Sequence, residues 1–269
     1  MTDAVFRDLV AAAARPYRRC GRYAWHFTKG KLAGDPVFHH LLRNQLLPTH
    51  GRLLDLGCGQ GVLTALLRAA AKRHAGGDWP AGWPAPPATL TVQGVELSPK
   101  RVRIAQAALG TDAVLQGDIR SVHLPPCDAI VILDVLLYLQ PDEQATVLAR
   151  CANALAPGGI LLLREADAEG GLPFQITRWA ERIASVIRGH WRQSLTYRPA
   201  ADWSALLGSL GFEAEALPMS QGTPFANTLF IAQRSNASVQ ICPFSHEIAN
   251  ASILPNMKQH YTAVPIRNS

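Results

Sequence analysis

The chain has 269 residues, 48% hydrophobic and 17% charged, which suits a globular protein with one substantial core and excludes a disordered chain. No run reaches ~18 consecutive apolar residues, so no membrane span is expected. Asp3, Arg7 and Asp8 precede only a short apolar run, which does not read as a signal peptide. The net charge is +6, and residues 1–52 account for the excess, with nine Lys/Arg against Asp3, Asp8 and Asp35. A basic entry segment suits an acidic partner such as nucleic acid, a phosphopantetheine-bearing acyl carrier protein or anionic lipid; a solvated basic face explains it equally well. The five cysteines are scattered, with no CxxC pair, so neither a disulfide framework nor a metal site is expected, and reduced thiols fit a cytoplasmic protein.

In chain order, residues 5–25 have a helical composition that Pro16 should interrupt. Gly30, Gly34, Asp35 and Pro36 mark a turn, with Asp35 as N-cap and Pro36 in the first turn of a helix over 37–47. Residues 1–50 thus form a helical cap segment. Arg52–Leu56 is a short apolar run ending in glycines, a buried parallel strand. A helix over 62–72 follows, then a Gly/Pro/Trp-rich stretch at 73–88 that reads as an exposed loop. Strands at 89–96, 113–115, 128–133 and 160–164 alternate with helices at 99–109 and 141–156, with Pro157-Gly158-Gly159 stopping the latter. Residues 174–188 and 200–210 read as further helices, and 212–217 with 228–233 as a closing strand pair. The alternation implies an α/β fold with a mostly parallel sheet covered by helices on both faces, over residues 51–234. Residues 235–269 read as an irregular tail.

Chemistry concentrates at the strand ends. Asp55-Leu56-Gly57-Cys58-Gly59-Gln60-Gly61 places three alternating glycines between a strand and a helix, where backbone can approach a ligand and free N–H groups point at it. The dinucleotide pattern GxGxxG fails, because Val62 stands where its last glycine should be. Asp55 would suit a ligand ammonium better than a pyrophosphate. Glu96 ends the second strand, where a carboxylate can accept from ribose hydroxyls; its separation from the glycines exceeds the usual ~20 residues, and the 73–88 loop supplies the excess. Asp118 could accept from an adenine amino group, and Asp134 ends the fourth strand, where ligands of open α/β sheets bind.

At these residues the chain resembles the class I S-adenosylmethionine-dependent methyltransferases. Residues 53–61 are similar to that family's first motif, Val95-Glu96-Leu97-Ser98 to its second, and Gln116-Gly117-Asp118-Ile119 to its third. Cys127–Leu139 and Leu155–Gly159 resemble its later motifs. The resemblance implies a Rossmann-like seven-stranded sheet with the last strand antiparallel, and S-adenosyl-L-methionine as cofactor. It implies that Gly57, Cys58, Gly59 and Gly61 wrap the methionine end while Asp55 holds its amino group. Glu96 and Leu97 would then meet the ribose, Asp118 and Ile119 the adenine, with Asp134 beside them. The segments 26–31 and 224–227 are also similar to methyltransferases found with bacterial aryl-polyene pigment pathways. Many small-molecule members carry a histidine after the fourth strand; here Leu137 and Tyr138 occupy that place.

The expected reaction is methyl transfer to a small aromatic or polyene-type acceptor, free or carrier-bound, at oxygen or carbon. A base is needed only where the acceptor starts protonated. Candidates for that work are His26, His190 and Tyr138, with an aromatic lid from Trp25, Phe174, Trp179, Trp191 and Tyr197. RNA or protein methylation is the alternative enzymatic reading, although no amine-methylating motif or RNA-binding module is visible and no DNA binding is expected. A non-catalytic S-adenosylmethionine-binding subunit is the alternative outside catalysis.

Overall fold

The computed structural model describes residues 4–171, 174, 195–223 and 225–235. Of the expected helix at 174–188 only Phe174 is among the described residues, and of the expected tail at 235–269 only Ser235; His190, Trp179 and Trp191 lie outside them.

The amino-terminal segment folds as α1 (Ala4–Ala14), a 3-10 turn (Arg15–Cys20), α2 (Arg22–Gly34) and α3 (Pro36–Arg43). Pro16 does end the first helix, and Asp35 caps α3 by accepting from the Val37 N–H at 3.2 Å. The expected turn falls at Gly34-Asp35-Pro36, where α2 ends and α3 begins, but Gly30 does not take part in it and lies inside α2. Its buried residues Ala24, Thr28 and Leu32 recur every four positions, so packing of that stripe overrides the low helix propensity of glycine.

Strands β1 (His50–Leu56), β2 (Thr89–Glu96), β3 (Val114–Gln116), β4 (Cys127–Leu133), β5 (Leu155–Ala166), β6 (Phe212–Pro218) and β7 (Asn227–Arg234) form one sheet. Its order is β3-β2-β1-β4-β5-β7-β6. The first five strands run parallel, and β7 lies antiparallel to both β5 and β6, the expected arrangement. The helices between strands are α4 (Val62–Ala75), α5 (Pro99–Leu109), α6 (Pro141–Ala154) and α7 (Ala200–Ser209). Pro157-Gly158-Gly159 does not close α6 but sits inside β5. Pairing resumes at Leu155 opposite Cys127, and the register shifts before Ala129, so the tripeptide occupies an irregularity in the strand.

Alternation along the central strands builds two cores. Leu53, Val131, Leu162 and Leu229 face α1, α3 and α4, joining Phe6, Leu9, Phe38 and Leu66. Their neighbours Leu54, Ile130, Ile132, Leu163 and Phe230 face α6 and α7, joining Val147, Leu148, Trp203 and Leu207. The cap segment therefore shares a core with the sheet. The 73–88 stretch is less exposed than its composition suggests: Trp79 and Trp83 meet edge to face at 5.7 Å, Trp83 meets His39 of α3, and Arg43 lies over the Trp83 ring at 4.9 Å. Apolar rings in the loop found a surface to cover, which turn propensity does not register.

One interaction fastens the cap to the sheet ends. Arg164, at the carboxyl end of β5 and 1% exposed, reaches Asp35 with both terminal nitrogens and Asp134 with Nε (2.9 Å) and Nη2. Asp35→Ala removes the α3 cap and leaves the buried guanidinium short of one carboxylate. It should cost about 3 kcal/mol or more in urea unfolding; a loss under about 1 kcal/mol, the surface-pair range, would show that the fastening carries little.

Candidate active site at the strand carboxyl ends

β1 ends at Leu56, and the chain then turns over Gly57, Gly59 and Gly61, all at positive φ. Two of these glycines are packing requirements. A Cβ on Gly57 would sit 2.4 Å from the Val135 side chain, and one on Gly61 would sit 2.7 Å from Leu109. Gly59 differs: at φ +60° a Cβ there would meet nothing within 4 Å. The loop thus presents bare backbone to open space at the amino end of α4, a cradle a side chain would fill.

The four strand-end acids separate into different environments. Asp55 is buried, and its carboxyl is pushed up to about 7 by loss of solvent and then by the neighbouring Glu96 charge. Glu96 braces the loop: Oε2 accepts from the Gly59 N–H at 3.0 Å and Oε1 from the Ser98 N–H at 2.8 Å. Each oxygen keeps a second lone pair for a hydroxyl donor. Leu97 beside it is 62% exposed, an apolar side chain left in solvent where a flat ring could lie. Asp118 is held below the ordinary carboxylate range by Arg120, whose Nη2 donates at 2.6 Å and whose Nε donates to both carboxylate oxygens at 3.0 Å. Arg120 therefore already uses much of the acceptor capacity expected for an adenine amino group. Ile119 is buried in the core and Cys58 is buried under the loop.

Asp134 faces a different space. It has φ +59°, rare for a non-glycine residue, and is held there by Arg164 and by Lys31 at 3.3 Å. Burial alone would raise the Asp134 and Asp35 carboxyls; Arg164 and then Lys31 more than offset it, and both end below their usual range. Asp134, Asp35, Lys31 and Arg164 line a cavity of about 510 Å³ together with His26, Phe27, Leu137 and Phe225. His26 thus stands on the wall. Leu137 also does, whereas Tyr138 is not among the lining residues. Trp25 packs against His26 with ring centroids 4.4 Å apart, and Phe174 meets Tyr197 edge to face at 5.1 Å, so these aromatics pack against neighbouring rings.

Three functional residues escaped the sequence reading. Arg164 is one; the charged pair Arg164-Glu165 closing an apolar strand was the available signal. Glu165 is the second: it is buried, and Oε1 accepts from the Val135 and Leu136 N–H groups at 3.1 and 2.7 Å, fixing the turn after β4. The third is Tyr17, fully buried in the cap, whose hydroxyl donates to the Gln60 carbonyl at 2.7 Å and the Gly61 carbonyl at 3.2 Å. It ties the cap to the glycine turn.

Two predictions arise here. Tyr17→Phe removes the only donor this side chain offers the loop. It should weaken S-adenosylhomocysteine binding about fivefold, the worth of one net hydrogen bond, in calorimetric titration, with little change in secondary structure; unchanged affinity would mean the loop holds its shape alone. Glu165 titrates near 8, raised by burial and then by the Asp134 charge. With Asp55 near 7, the folded chain holds protons that the unfolded chain releases near pH 4. Stability should therefore fall as pH rises from about 4 to about 8, by about 1.4 kcal/mol per pH unit for each group between its unfolded and folded values. Glu165→Gln, which keeps an acceptor oxygen, should flatten the slope of the urea midpoint against pH; an unaltered slope would place the titration elsewhere.

Comparison with known proteins bears on the family and the fold. Residues 24–217 match the family described as methyltransferase domain. The chain is 32% identical over 189 residues to the carboxy-S-adenosyl-L-methionine synthase of Chromohalobacter salexigens, a match covering 61% of this chain and 62% of that protein. It is 24% identical over 226 residues to the ubiquinone biosynthesis O-methyltransferase of Xylella fastidiosa strain 9a5c, covering 81% and 83%. Among solved structures, the pyocyanin biosynthetic protein PhzM superposes with a TM-score of 0.55 at 19% identity, covering 81% of this chain and 60% of that one. Human N-acetylserotonin methyltransferase in complex with SAM gives 0.56 at 15% identity, covering 87% and 60%. The chain spans less than two thirds of the first relative and of both structures, and at these identities the structures establish a shared fold. The family match runs over more than half of the sequence, and the chain belongs to the methyltransferase domain family.

Proposed function

We propose that this chain binds S-adenosylmethionine over the Gly57–Gly61 turn and transfers its methyl group to a small, uncharged aromatic or polyene-type acceptor held in the neighbouring cavity. The observation that carries this is the open backbone at Gly59 in a turn whose Gly57 packs on the segment that follows β4. Gly57 packs on Val135, and the residue before Val135 is Asp134 on the cavity wall. Donor and acceptor spaces thus meet at the ends of β1 and β4.

When bound, the cofactor supplies an activated methyl on a sulfonium. The chain's own residues orient, shield and move protons. In this reading Asp55 faces the ligand ammonium, which would favour the ionised carboxylate that burial disfavours. Glu96 accepts from ribose hydroxyls with the lone pairs its loop amides leave free, and Leu97 covers the ring edge. Asp118 reaches the adenine amino group only with capacity Arg120 leaves. In the cavity, Phe27, Leu137 and Phe225 offer apolar surface, while two cations and two carboxylates neutralise each other on the floor. That wall suits an uncharged flat acceptor. His26 is the base for a hydroxyl acceptor, because it stands on the cavity wall and an imidazole nitrogen can accept a proton from a hydroxyl.

The similarity to a carboxy-S-adenosyl-L-methionine synthase raises a second reading, in which a carboxylate reagent enters the cavity. Both wall cations, Lys31 and Arg164, are already paired with Asp35 and Asp134, which favours methyl transfer to a neutral acceptor.

S-adenosylhomocysteine should stabilise the chain against heat, and Gly59→Arg should abolish that shift, while the left-handed backbone at this position costs the unliganded fold only about 1–2 kcal/mol. With labelled cofactor, label should enter a small-molecule extract fraction, and His26→Ala should slow transfer to a hydroxyl acceptor about 10²-fold while cofactor affinity holds. Label in RNA or protein, or no thermal shift at millimolar ligand, would sink the proposal.

A further inference from the structure

The 3-10 turn and α2 carry a surface that the methyl-transfer reading leaves unused. Residues 15–34 contain Arg15, Arg18, Arg19, Arg22, Lys29 and Lys31 and no acid. All but Lys31 are exposed. α2 turns Ala24, Thr28 and Leu32 inward, so Arg22, Tyr23, His26, Phe27 and Lys29 are left outward. An outward face of that kind is ordinarily polar, yet Tyr23 is 72% exposed and Phe27 38% exposed. Their rings stack on each other at 6.1 Å and 26°, forming one apolar knob. Arg18 lies over the Trp25 ring at 5.0 Å and Lys29 approaches the same ring at 5.9 Å, so the turn and the helix present their cations on one continuous face. Phe27 and His26 also line the cavity, which places its mouth at this face.

We propose that this face docks on an anionic lipid bilayer, with Tyr23 and Phe27 entering the headgroup region, and that the acceptor passes from the bilayer into the cavity. Basic side chains around exposed aromatic rings fit an interfacial helix: the rings sit at the headgroup level and the cations meet anionic lipid. An acidic carrier protein would satisfy the charges but gives no reason for a tyrosine left in water. Single-stranded RNA would use separated rings as stacking platforms, whereas these two are spent on each other. The acceptor's delivery rests on the proposed apolar substrate; the docking itself does not.

The test is co-sedimentation of the full chain with vesicles of phosphatidylcholine alone and of equal parts phosphatidylcholine and phosphatidylglycerol. Binding to the mixed vesicles, absent on the neutral ones and reversed by high salt, is expected. Each cation near the surface is worth about fivefold in partitioning. The double variant Arg18→Glu/Arg22→Glu should therefore lose at least about tenfold. Tyr23→Ser should lose several-fold at constant charge, which a purely ionic association would not show. Neither variant replaces a residue of the glycine turn or one lining the cavity, although Tyr23 stacks on the lining residue Phe27, so stabilisation by S-adenosylhomocysteine at the turn should match the parent and report intact folding. Equal binding to both vesicle types, variants that sediment like the parent, or saturable binding to RNA or an acidic carrier protein without vesicle binding would overturn the proposal. Because no acceptor or methyl transfer enters this measurement, its failure is distinct from failure of the methyltransferase reading.

Discussion

A guanidinium cannot be taken out of water without carboxylates to meet it, and Arg164 is almost wholly out of water. That constraint organises the functional end of the molecule. Arg164 draws Asp134 into a left-handed backbone conformation and Asp35 onto the start of α3, two residues that lie 30 and 129 positions away in the chain. Lys31 supplies the second cation and leaves the group neutral. The last turn of α2, through Lys31, and the start of α3, through Asp35, thereby come to lie against the ends of β4 and β5. The cavity is the space left between the two, and its floor is the ion network itself.

The strand-end acids show how one sequence signal divides into several physical tasks. Read along the chain, Asp55, Glu96, Asp118 and Asp134 are four carboxylates in equivalent positions. In the fold, Asp55 loses solvent, Glu96 spends one lone pair of each oxygen on the loop backbone, Asp118 is clamped by Arg120, and Asp134 is committed to Arg164. Only the first two are left facing the glycine turn with capacity for a polar ligand. The difference lies in partners, and a lone carboxylate in a sequence does not announce its partner.

What was legible follows the same division. Strand β2 and helix α5 fall where the sequence places them, Thr89–Glu96 and Pro99–Leu109, because alternation, an N-terminal proline and a terminal glycine are local signals. The glycine turn was legible because sterics demand glycine within the turn itself. Pro157-Gly158-Gly159 misled because breaker residues can be absorbed into an irregular strand when both neighbours pair. Gly30 misled because a buried stripe outweighs its propensity, whereas Gly34 ends α2 as a turn signal should. Tyr17 was invisible: its value comes from the Gln60 and Gly61 carbonyls, over forty residues away. Arg164 and Glu165 were visible as charges ending an apolar strand, but their meaning required Asp35 and the turn after β4.

The two anchors of the cap have different consequences for chemistry. Tyr17 holds the cap to the glycine turn through neutral hydrogen bonds, which any change in the loop would strain. Arg164 and Lys31 hold it to β4 and β5 through charge, in a group with no net charge to offer a substrate. A cap tied at both places forms a wall of the cavity and braces the glycine turn at once, so in the proposed reading alignment of donor and acceptor is built into the fold. Methyl transfer from a sulfonium releases a neutral leaving group and asks chiefly for such alignment and for exclusion of water. In the proposed methyl transfer the cap, rather than any one ionisable side chain, would then carry the larger part of the catalysis, and a proton acceptor such as His26 would be needed only when the acceptor brings a proton to lose.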